Sequence, residues 1–352
     1  MKKIVLLALI VRLICLFVFR NINNYDLQSY QQVGELTLNK INIYPDIANL
    51  HHPYLPFFLY LEAFALYFKK ISVSPIIILK LINIIFDLGN LYLVYQLSKK
   101  NLKTAFLYAL NPVTILITTL HGQFDTLPIF FLLLSLYLIK VKKEVFSILS
   151  FSSAVMIKTW PLLFIISLYK KLTNKKSILF VLVFPFISVS VYSILFRSSL
   201  ISIAKTIAGY QGLWGIWGVW GLLGKWRLRW QKLSTLIFLV CFFVYSYFNK
   251  NRNIVKEILN LLLFFFIFTP NFSIQYFAWI IPFLIIIKPR GYLLLMLFIT
   301  LTLISYYSFW IFYSNLEITP SYLVTTQEVF KFLTWILFIY SFKFNELIEA
   351  KD

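Results

Sequence analysis

Residues 75–97 read PIIILKLINIIFDLGNLYLVYQL and are followed directly by Ser98, Lys99 and Lys100. An α-helix needs about 20 mostly apolar residues to cross the hydrocarbon core of a bilayer. This stretch is long enough, and lysines directly after an apolar run are typical of the cytoplasmic end of a membrane span. The sequence therefore predicts a transmembrane helix here.

The same pattern recurs along the 352 residues of the chain. Further apolar runs occupy 4–20, 104–120, 126–140, 177–196, 232–248, 255–270, 275–288, 290–312 and 328–344. Two stretches are ambiguous, because 53–68 is short and 145–169 is interrupted by Lys158 and Pro161. These runs predict an all-α, polytopic membrane helix bundle with about 10–13 transmembrane or re-entrant helices. We expect a single integral membrane domain over residues 1–352.

The composition excludes an ordinary soluble domain. Of the residues, 60% are hydrophobic and 13% are charged, whereas a soluble domain has about 25% charged residues. The net charge of +20 comes from basic residues that cluster between the apolar runs. That arrangement favours membrane orientation and contact with anionic lipids over nucleic-acid binding. Cys15 and Cys241 lie inside apolar runs and predict neither a disulfide framework nor a metal site.

The basic clusters predict which side of the membrane each loop faces. All of them can be cytoplasmic if 53–68 is an outer interfacial helix and 145–169 is a re-entrant hairpin broken at Pro161. Loops 21–52 and 121–126 then share the outer side. Loop 197–231 is also placed on the outer side by this scheme, but it is basic and so does not fit the rule. Either its side is assigned wrongly, or its cations, Arg197 among them, bind an anionic group.

Two outer loops carry the polar residues that could perform chemistry. Asp26 follows the first span, at a boundary where partial desolvation raises the basicity of a carboxylate and suits it to act as a general base. The alternative is a helix cap or a solvated acid. The second loop reads His121-Gly122-Gln123-Phe124-Asp125 and follows Asn111-Pro112. It offers an imidazole, an amide and a carboxylate for sugar hydroxyls, or it is a plain polar turn.

Four ionisable residues fall inside apolar stretches. Lys158 can pair with a phosphate group, as intramembrane charges are costly and often functional, or it can extend to the interface. We interpret the other three, Arg12, Lys80 and Asp87, as structural. Arg12 is near enough to a helix end to reach the interface, and Lys80 and Asp87 lie seven residues apart on one helix face, where we expect them to pair through neighbouring side chains.

A set of short motifs in the first half of the chain resembles the GT-C superfamily of membrane glycosyltransferases. The set comprises Asp26, Tyr44-Pro45, Tyr54-Leu55-Pro56, Asn111-Pro112, Gly122-Gln123-Phe124-Asp125 and Lys158-x-x-Pro161. The sequence is most similar to the mannosyltransferase-like branch related to enzymes of GPI-anchor and phosphatidylinositol mannoside synthesis. The likeness continues thinly through Pro270-Asn271-Phe272 and Gln275-Tyr276.

The resemblance implies an outer-face active site that moves a hexose, mannose-like, from a polyprenyl-phosphate donor to a lipid, glycan or protein acceptor, with inversion. It implies that Asp26 is the base and Asp125 the second catalytic acid. The residues that we expect to bind substrate are His121, Gln123, Lys158, His51, His52, Arg197, Gln275 and Tyr276.

The same resemblance bears on cofactors, location and alternatives. Leu27 follows Asp26 where relatives carry a second acid, so we expect no cofactor and no strictly required divalent metal. We expect the plasma membrane of a prokaryote. A lipid-linked sugar transporter or flippase is the main alternative, although such proteins favour internal repeats and a polar path across the membrane. A non-catalytic scaffold is a third possibility.

Overall fold

A computed structural model of the protein describes residues 1–22, 24–45, 52–209, 213–222, 230–249, 251–312 and 320–349, with side chains as far as residue 344. Within these ranges the regular secondary structure is helical, and the only extended pairing is an isolated bridge between Trp214 and Asn271. The predicted all-α class is confirmed.

The chain packs as two compact units. The first comprises Met1–Leu110 and Ile115–Tyr210, and the second comprises Asn111–Thr114 and Gln211–Asp352. The single domain over residues 1–352 stays a prediction.

The α-helices before residue 210 are, in chain order, α1 (Lys2–Val18), α2 (Tyr25–Leu38), α3 (Pro56–Tyr67), α4 (Pro75–Leu97), α5 (Leu102–Ala109), α6 (Pro112–Leu116), α7 (Thr126–Lys140), α8 (Glu144–Ile157), α9 (Ile165–Lys171), α10 (Val183–Phe196) and α11 (Leu200–Gly209). Short 3₁₀ segments lie at Phe68–Ile71, Trp160–Phe164 and Lys175–Leu182, and a π-helical turn lies at Ile117–His121. The break between α5 and α6 is local: Asn111 accepts hydrogen bonds from the backbone N–H groups of Val113 (3.0 Å) and Thr114 (3.3 Å) and so caps α6.

The second unit contains α12 (Gly218–Leu222), α13 (Gln231–Phe248), α14 (Ile254–Phe268), α15 (Phe277–Ile287), α16 (Tyr292–Phe312) and α17 (Ser321–Glu349). Its core is aromatic. Trp217 is fully buried and stacks on Phe272 with ring centroids 4.1 Å apart.

Among the described residues, five helical segments are long and apolar enough to cross a membrane: Pro75–Leu97, Lys175–Phe196, Gln231–Phe248, Tyr292–Phe312 and Ser321–Phe344. A sixth is possible if Leu102–Ala109 and Pro112–His121, bent by 41°, form one broken span. Large apolar side chains such as Ile194 and Phe312 point outward, with 78% and 73% of their surface exposed. Lipid is the solvent that accepts such a surface. The protein is therefore a multi-pass integral membrane protein, while the larger total of about ten to thirteen segments stays a prediction.

Residues 145–169 contain two helical arms that are separated near Lys158, while the predicted re-entrant course in the membrane stays a prediction. α8 runs back along α7, where the Ser147 hydroxyl donates to the Ser135 carbonyl oxygen at 2.8 Å. α8 ends at Ile157, Lys158 is extended, and the chain then returns through Trp160–Phe164 and α9. The hairpin therefore places Lys158 at its tip.

The structure gives Arg12 and Asp87 different partners from those that the sequence predicted. Arg12 does not reach the interface. It is fully buried, and its Nε donates to the Asp87 carboxylate at 2.6 Å. The Tyr108 hydroxyl donates to the other oxygen of Asp87 at 2.7 Å. Asp87 is therefore paired with α1 and α5 and not with Lys80, because its side chain faces those helices. Lys80 donates instead to the Phe19 carbonyl oxygen at 3.5 Å.

Candidate functional site

The first turn of α2 holds Asp26 against the polar loop that follows α6. Asn24 caps this turn by accepting from the Leu27 backbone N–H at 3.0 Å. Its amide also donates to the His121 carbonyl oxygen at 2.9 Å. One asparagine thus joins the two polar loops, and it places Asp26 where the helix dipole stabilises a negative charge.

Gly122 turns the chain between His121 and Gln123. Its φ is +79°, in the left-handed region, and its N–H donates to the Ile117 carbonyl oxygen at 3.0 Å. The Gly122 carbonyl oxygen accepts from the Asn83 amide at 3.1 Å. A β-carbon at this position would lie 2.8 Å from the nearest Leu27 side-chain atom. The turn therefore needs glycine, both for its φ and for the close approach of α2.

The substitution Gly122→Ala tests this turn. We expect a loss of about 1–3 kcal/mol in the free energy of unfolding, because alanine resists a left-handed φ and clashes with Leu27. Thermal and denaturant unfolding in detergent would measure the loss. Gly209→Ala is the matched control, since nothing lies within 4 Å of the added carbon, and we expect it to change stability by less than about 0.5 kcal/mol. Equal stability of the two variants would contradict the role of Gly122.

Asp26 is held by two residues of the second loop. Its Oδ2 accepts from the Gln123 amide nitrogen at 2.5 Å and lies 3.1 Å from the His121 Nε2. The Asp26 side chain is 33% exposed, whereas that of His121 is 2% exposed. The structure therefore brings Asp26, His121 and Gln123 together, with one carboxylate face directed away from the hydrogen-bonded side.

Gln123 connects this carboxylate to a buried ion pair. The Lys158 Nζ donates to Asp125 Oδ2 at 2.8 Å and to Gln123 Oε1 at 3.3 Å. Both partners of the ion pair are buried, Asp125 completely. The ammonium group also lies 4.2 Å from the centre of the Phe124 ring, in cation–π range. Asp125 is therefore inaccessible in this arrangement, and its direct partner is Lys158.

The pKa of Asp26 moves opposite to the direction expected from the sequence. Burial acts to raise it, but the hydrogen bonds from His121 and Gln123 and the charge of Lys158 outweigh burial and hold the pKa below its usual value of 3.8. The expected rise in basicity is therefore wrong, because it considered desolvation without the partners. Asp26 is an ionised, hydrogen-bonded carboxylate at neutral pH.

His52 lies close to this cluster but inside the protein. Its Nε2 is 3.4 Å from an oxygen of Glu62 on α3, and both side chains have no exposed surface. Burial lowers the pKa of His52 to about 3 and raises that of Glu62 well above its usual range. Burial therefore disfavours the charged form of both groups. The sequence analysis did not identify Glu62, although a lone acid in the apolar stretch 53–68 was a signal.

Of the remaining predicted substrate-binding residues, three are described by the structure and one is not. Arg197 ends α10 in an exposed, left-handed conformation. His51 lies outside the described residues. Gln275 and Tyr276 belong to the second unit, where the Ser273 hydroxyl donates to Gln275 and the Tyr276 ring stacks on Trp279.

Within the described ranges no group of three or more His, Cys, Asp or Glu residues is placed to hold a metal ion. The expectation that no metal is required stays a prediction.

The fold and site define a class: a multi-pass helical membrane protein whose polar centre joins a partly exposed carboxylate to a buried lysine–aspartate pair. No model of a known protein family matches the sequence, and no match was found among curated proteins.

Proposed function

We propose that the protein is a membrane glycosyltransferase that moves a hexose, mannose-like, from a polyprenyl-phosphate donor to a hydroxyl group of a lipid, glycan or protein acceptor. The reaction takes place at the outer face of the membrane and inverts the anomeric carbon. The observation that carries the proposal is Asp26, a partly exposed carboxylate that His121 and Gln123 orient through one oxygen.

The other oxygen of Asp26 receives the acceptor proton. The acceptor oxygen attacks the anomeric carbon, the bond from that carbon to the donor phosphate breaks, and polyprenyl phosphate leaves as an anion. A carboxylate of low pKa does not deprotonate a free hydroxyl. Proton transfer therefore accompanies formation of the new bond, when the attacking oxygen becomes acidic.

Lys158 supports the departing phosphate. An ammonium group has three N–H donors, and the two bonds to Asp125 and Gln123 leave one for a phosphate oxygen. Asp125 acts as a positioning residue, because it holds the ammonium group in place. This role replaces the direct catalytic role inferred for Asp125 from the resemblance.

A second lysine near the site reduces the repulsion between its carboxylates and an anionic donor. Asp26, Asp125 and Lys158 sum to one negative charge. Lys80 lies beneath the loop, with its Cε 3.1 Å from where a Gly122 β-carbon would be. Its charge offsets that of Asp26 and lowers the repulsion that an incoming phosphate would meet.

The test is turnover by purified protein in lipid nanodiscs. Radiolabelled mannosyl- and glucosyl-phosphoryl polyprenol are supplied with hydroxyl-bearing lipid acceptors, and released polyprenyl phosphate is measured together with the labelled acceptor. Transfer with inversion is the expected result. Saturable donor binding without cleavage would favour the transporter instead. If no donor is bound or transferred, both the glycosyltransferase and the transporter proposals are overturned.

The pH profile provides a second test of Asp26. The ionised form is the active form, so activity is present above its pKa and is lost as the pH falls through it. Because that pKa is lowered, the acid limb of kcat/KM should lie below the ordinary aspartate value of 3.8. Gln123→Leu removes one of the hydrogen bonds that lower the pKa, so its acid limb should move to higher pH. An unchanged limb would show that Asp26 does not control it.

A further inference from the structure

We infer that the lysine-rich end of the α7–α8 hairpin is a binding site for one anionic phospholipid, distinct from the candidate catalytic site. The headgroup phosphate contacts Lys142 and Lys143, and one acyl chain lies in the groove that begins there. This inference is independent of the proposed function, because the turn between α7 and α8 lies at the opposite end of α8 from Lys158.

The groove has the shape of a chain-binding site. Its volume is about 400 Å³, and most of its lining surface is apolar. The apolar lining residues are Phe131, Leu134, Leu138, Phe146, Leu149 and Phe184, and the others are Lys143, Ser150 and Ser153. The α7 members are spaced three and four residues apart, as are those of α8, so each helix contributes one face. At 1.5 Å per residue, the seven steps from residue 131 to residue 138 give a groove about 10 Å long, parallel to the helices.

The polar groups inside the groove are already satisfied. The Ser150 hydroxyl donates to the Phe131 carbonyl oxygen at 2.7 Å, and the Ser153 hydroxyl donates to the Leu149 carbonyl oxygen at 3.1 Å. At the groove mouth, Phe146 is 63% exposed. The interior therefore suits a hydrocarbon chain and offers nothing to a free sugar or an inorganic phosphate.

The charged side chains of the groove lie at one of its ends, at the turn between α7 and α8. Lys142 and Lys143 form the α7–α8 turn and are exposed, and their side chains make no hydrogen bond or ion pair with the described part of the chain. The nearby acid, Glu144, is occupied: both of its oxygens accept from the Thr173 backbone N–H at 3.1 Å. Two free ammonium groups at the mouth of an apolar groove match a headgroup joined to a chain.

The contact between Glu144 and Thr173 also brings a second basic segment to this end. The segment contains Lys170, Lys171, Lys175 and Lys176. Lys175 donates to the carbonyl oxygens of Tyr169 (2.8 Å) and Lys170 (3.1 Å), but Lys176 is exposed. This added positive field attracts an anionic headgroup and does not attract a zwitterionic one.

Native mass spectrometry of the full chain, released from mild detergent, tests the site. The probes are palmitoyl-oleoyl phosphatidylglycerol and the phosphatidylcholine with the same chains. Wild type should bind one phosphatidylglycerol in preference to phosphatidylcholine. The double variant Lys142→Gln/Lys143→Gln should lower phosphatidylglycerol affinity about 25-fold, since each surface lysine contributes about fivefold.

The control removes equal charge elsewhere. Lys99→Gln/Lys100→Gln also changes two lysines in a turn on the basic side, and Lys100, like Lys142, has a positive φ. It should change the affinity less than twofold. Equal losses in the two double variants would show diffuse surface attraction and overturn the site, as would a wild type with no preference for phosphatidylglycerol.

A separate variant tests whether the acyl chain lies in the groove. Leu149→Trp fills the groove and should weaken both lipids, and Ser153→Leu serves the same purpose if the tryptophan variant does not fold. Unchanged binding in a folded groove variant would overturn the placement of the acyl chain.

Discussion

Asp26→Asn should lower turnover by about 10²–10⁴-fold at saturating donor and acceptor, the usual contribution of general-base catalysis. Asparagine keeps the shape of the side chain and can still accept a hydrogen bond through its oxygen, but it cannot take the acceptor proton. Donor binding should change little, because Lys158 is held by Asp125 and Gln123. Turnover and donor affinity are measured on the same purified sample, with its folding checked by size-exclusion chromatography.

Glu35→Gln is the matched control for this variant. Glu35 lies on the same helix, α2, and its exposed carboxylate is 3.5 Å from Lys69. The change removes one negative charge from α2 without touching the cluster, so turnover should stay close to wild type. A well-folded Asp26→Asn protein with a similar rate would remove Asp26 from the mechanism. The side chains of His52 and Glu62 have no exposed surface and cannot reach an acceptor, so the reaction itself would then need revision.

Breaking the buried Arg12–Asp87 pair should cost about 3–5 kcal/mol of stability, the largest structural effect that we expect. Asp87→Asn leaves the Arg12 guanidinium buried without a counter-charge, although the Ala109 carbonyl oxygen still accepts from it at 2.9 Å. Arg12→Met leaves the Asp87 carboxylate with the Tyr108 hydroxyl alone. Unfolding by heat and by denaturant in detergent would measure both variants.

The double variant Arg12→Met/Asp87→Leu should recover most of that loss, because it removes both charges from the apolar interior at once. The Glu35–Lys69 pair is the comparison, since its side chains are 56% and 71% exposed, and removing it should cost no more than about 1 kcal/mol. Single Arg12 and Asp87 variants as mild as the Glu35 variant, or a double variant worse than either single one, would contradict this account.

The sequence by itself determined the class of protein and most helix positions. Whether a segment partitions into a bilayer depends mainly on its own composition and length, which can be read without knowing its neighbours. Residues 75–97 were predicted as a span with the same bounds as α4. Local signals were informative at Lys158 and Pro161, which interrupt the stretch 145–169 where α8 ends. At Asn111-Pro112 the sequence predicted a loosened helix, whereas the structure ends α5 at Ala109 and begins α6 at Pro112.

Only the tertiary structure decided which charges meet and what each meeting does. Asp26 bonds to His121 across 95 positions, Arg12 to Asp87 across 75, and Lys158 to Asp125 across 33. A pKa depends on distances, hydrogen bonds and burial in three dimensions, and these are unrelated to separation along the chain. For this reason the sequence placed Asp26 at a membrane boundary, but the fold reversed the expected direction of its pKa by bringing in donors from a distant loop.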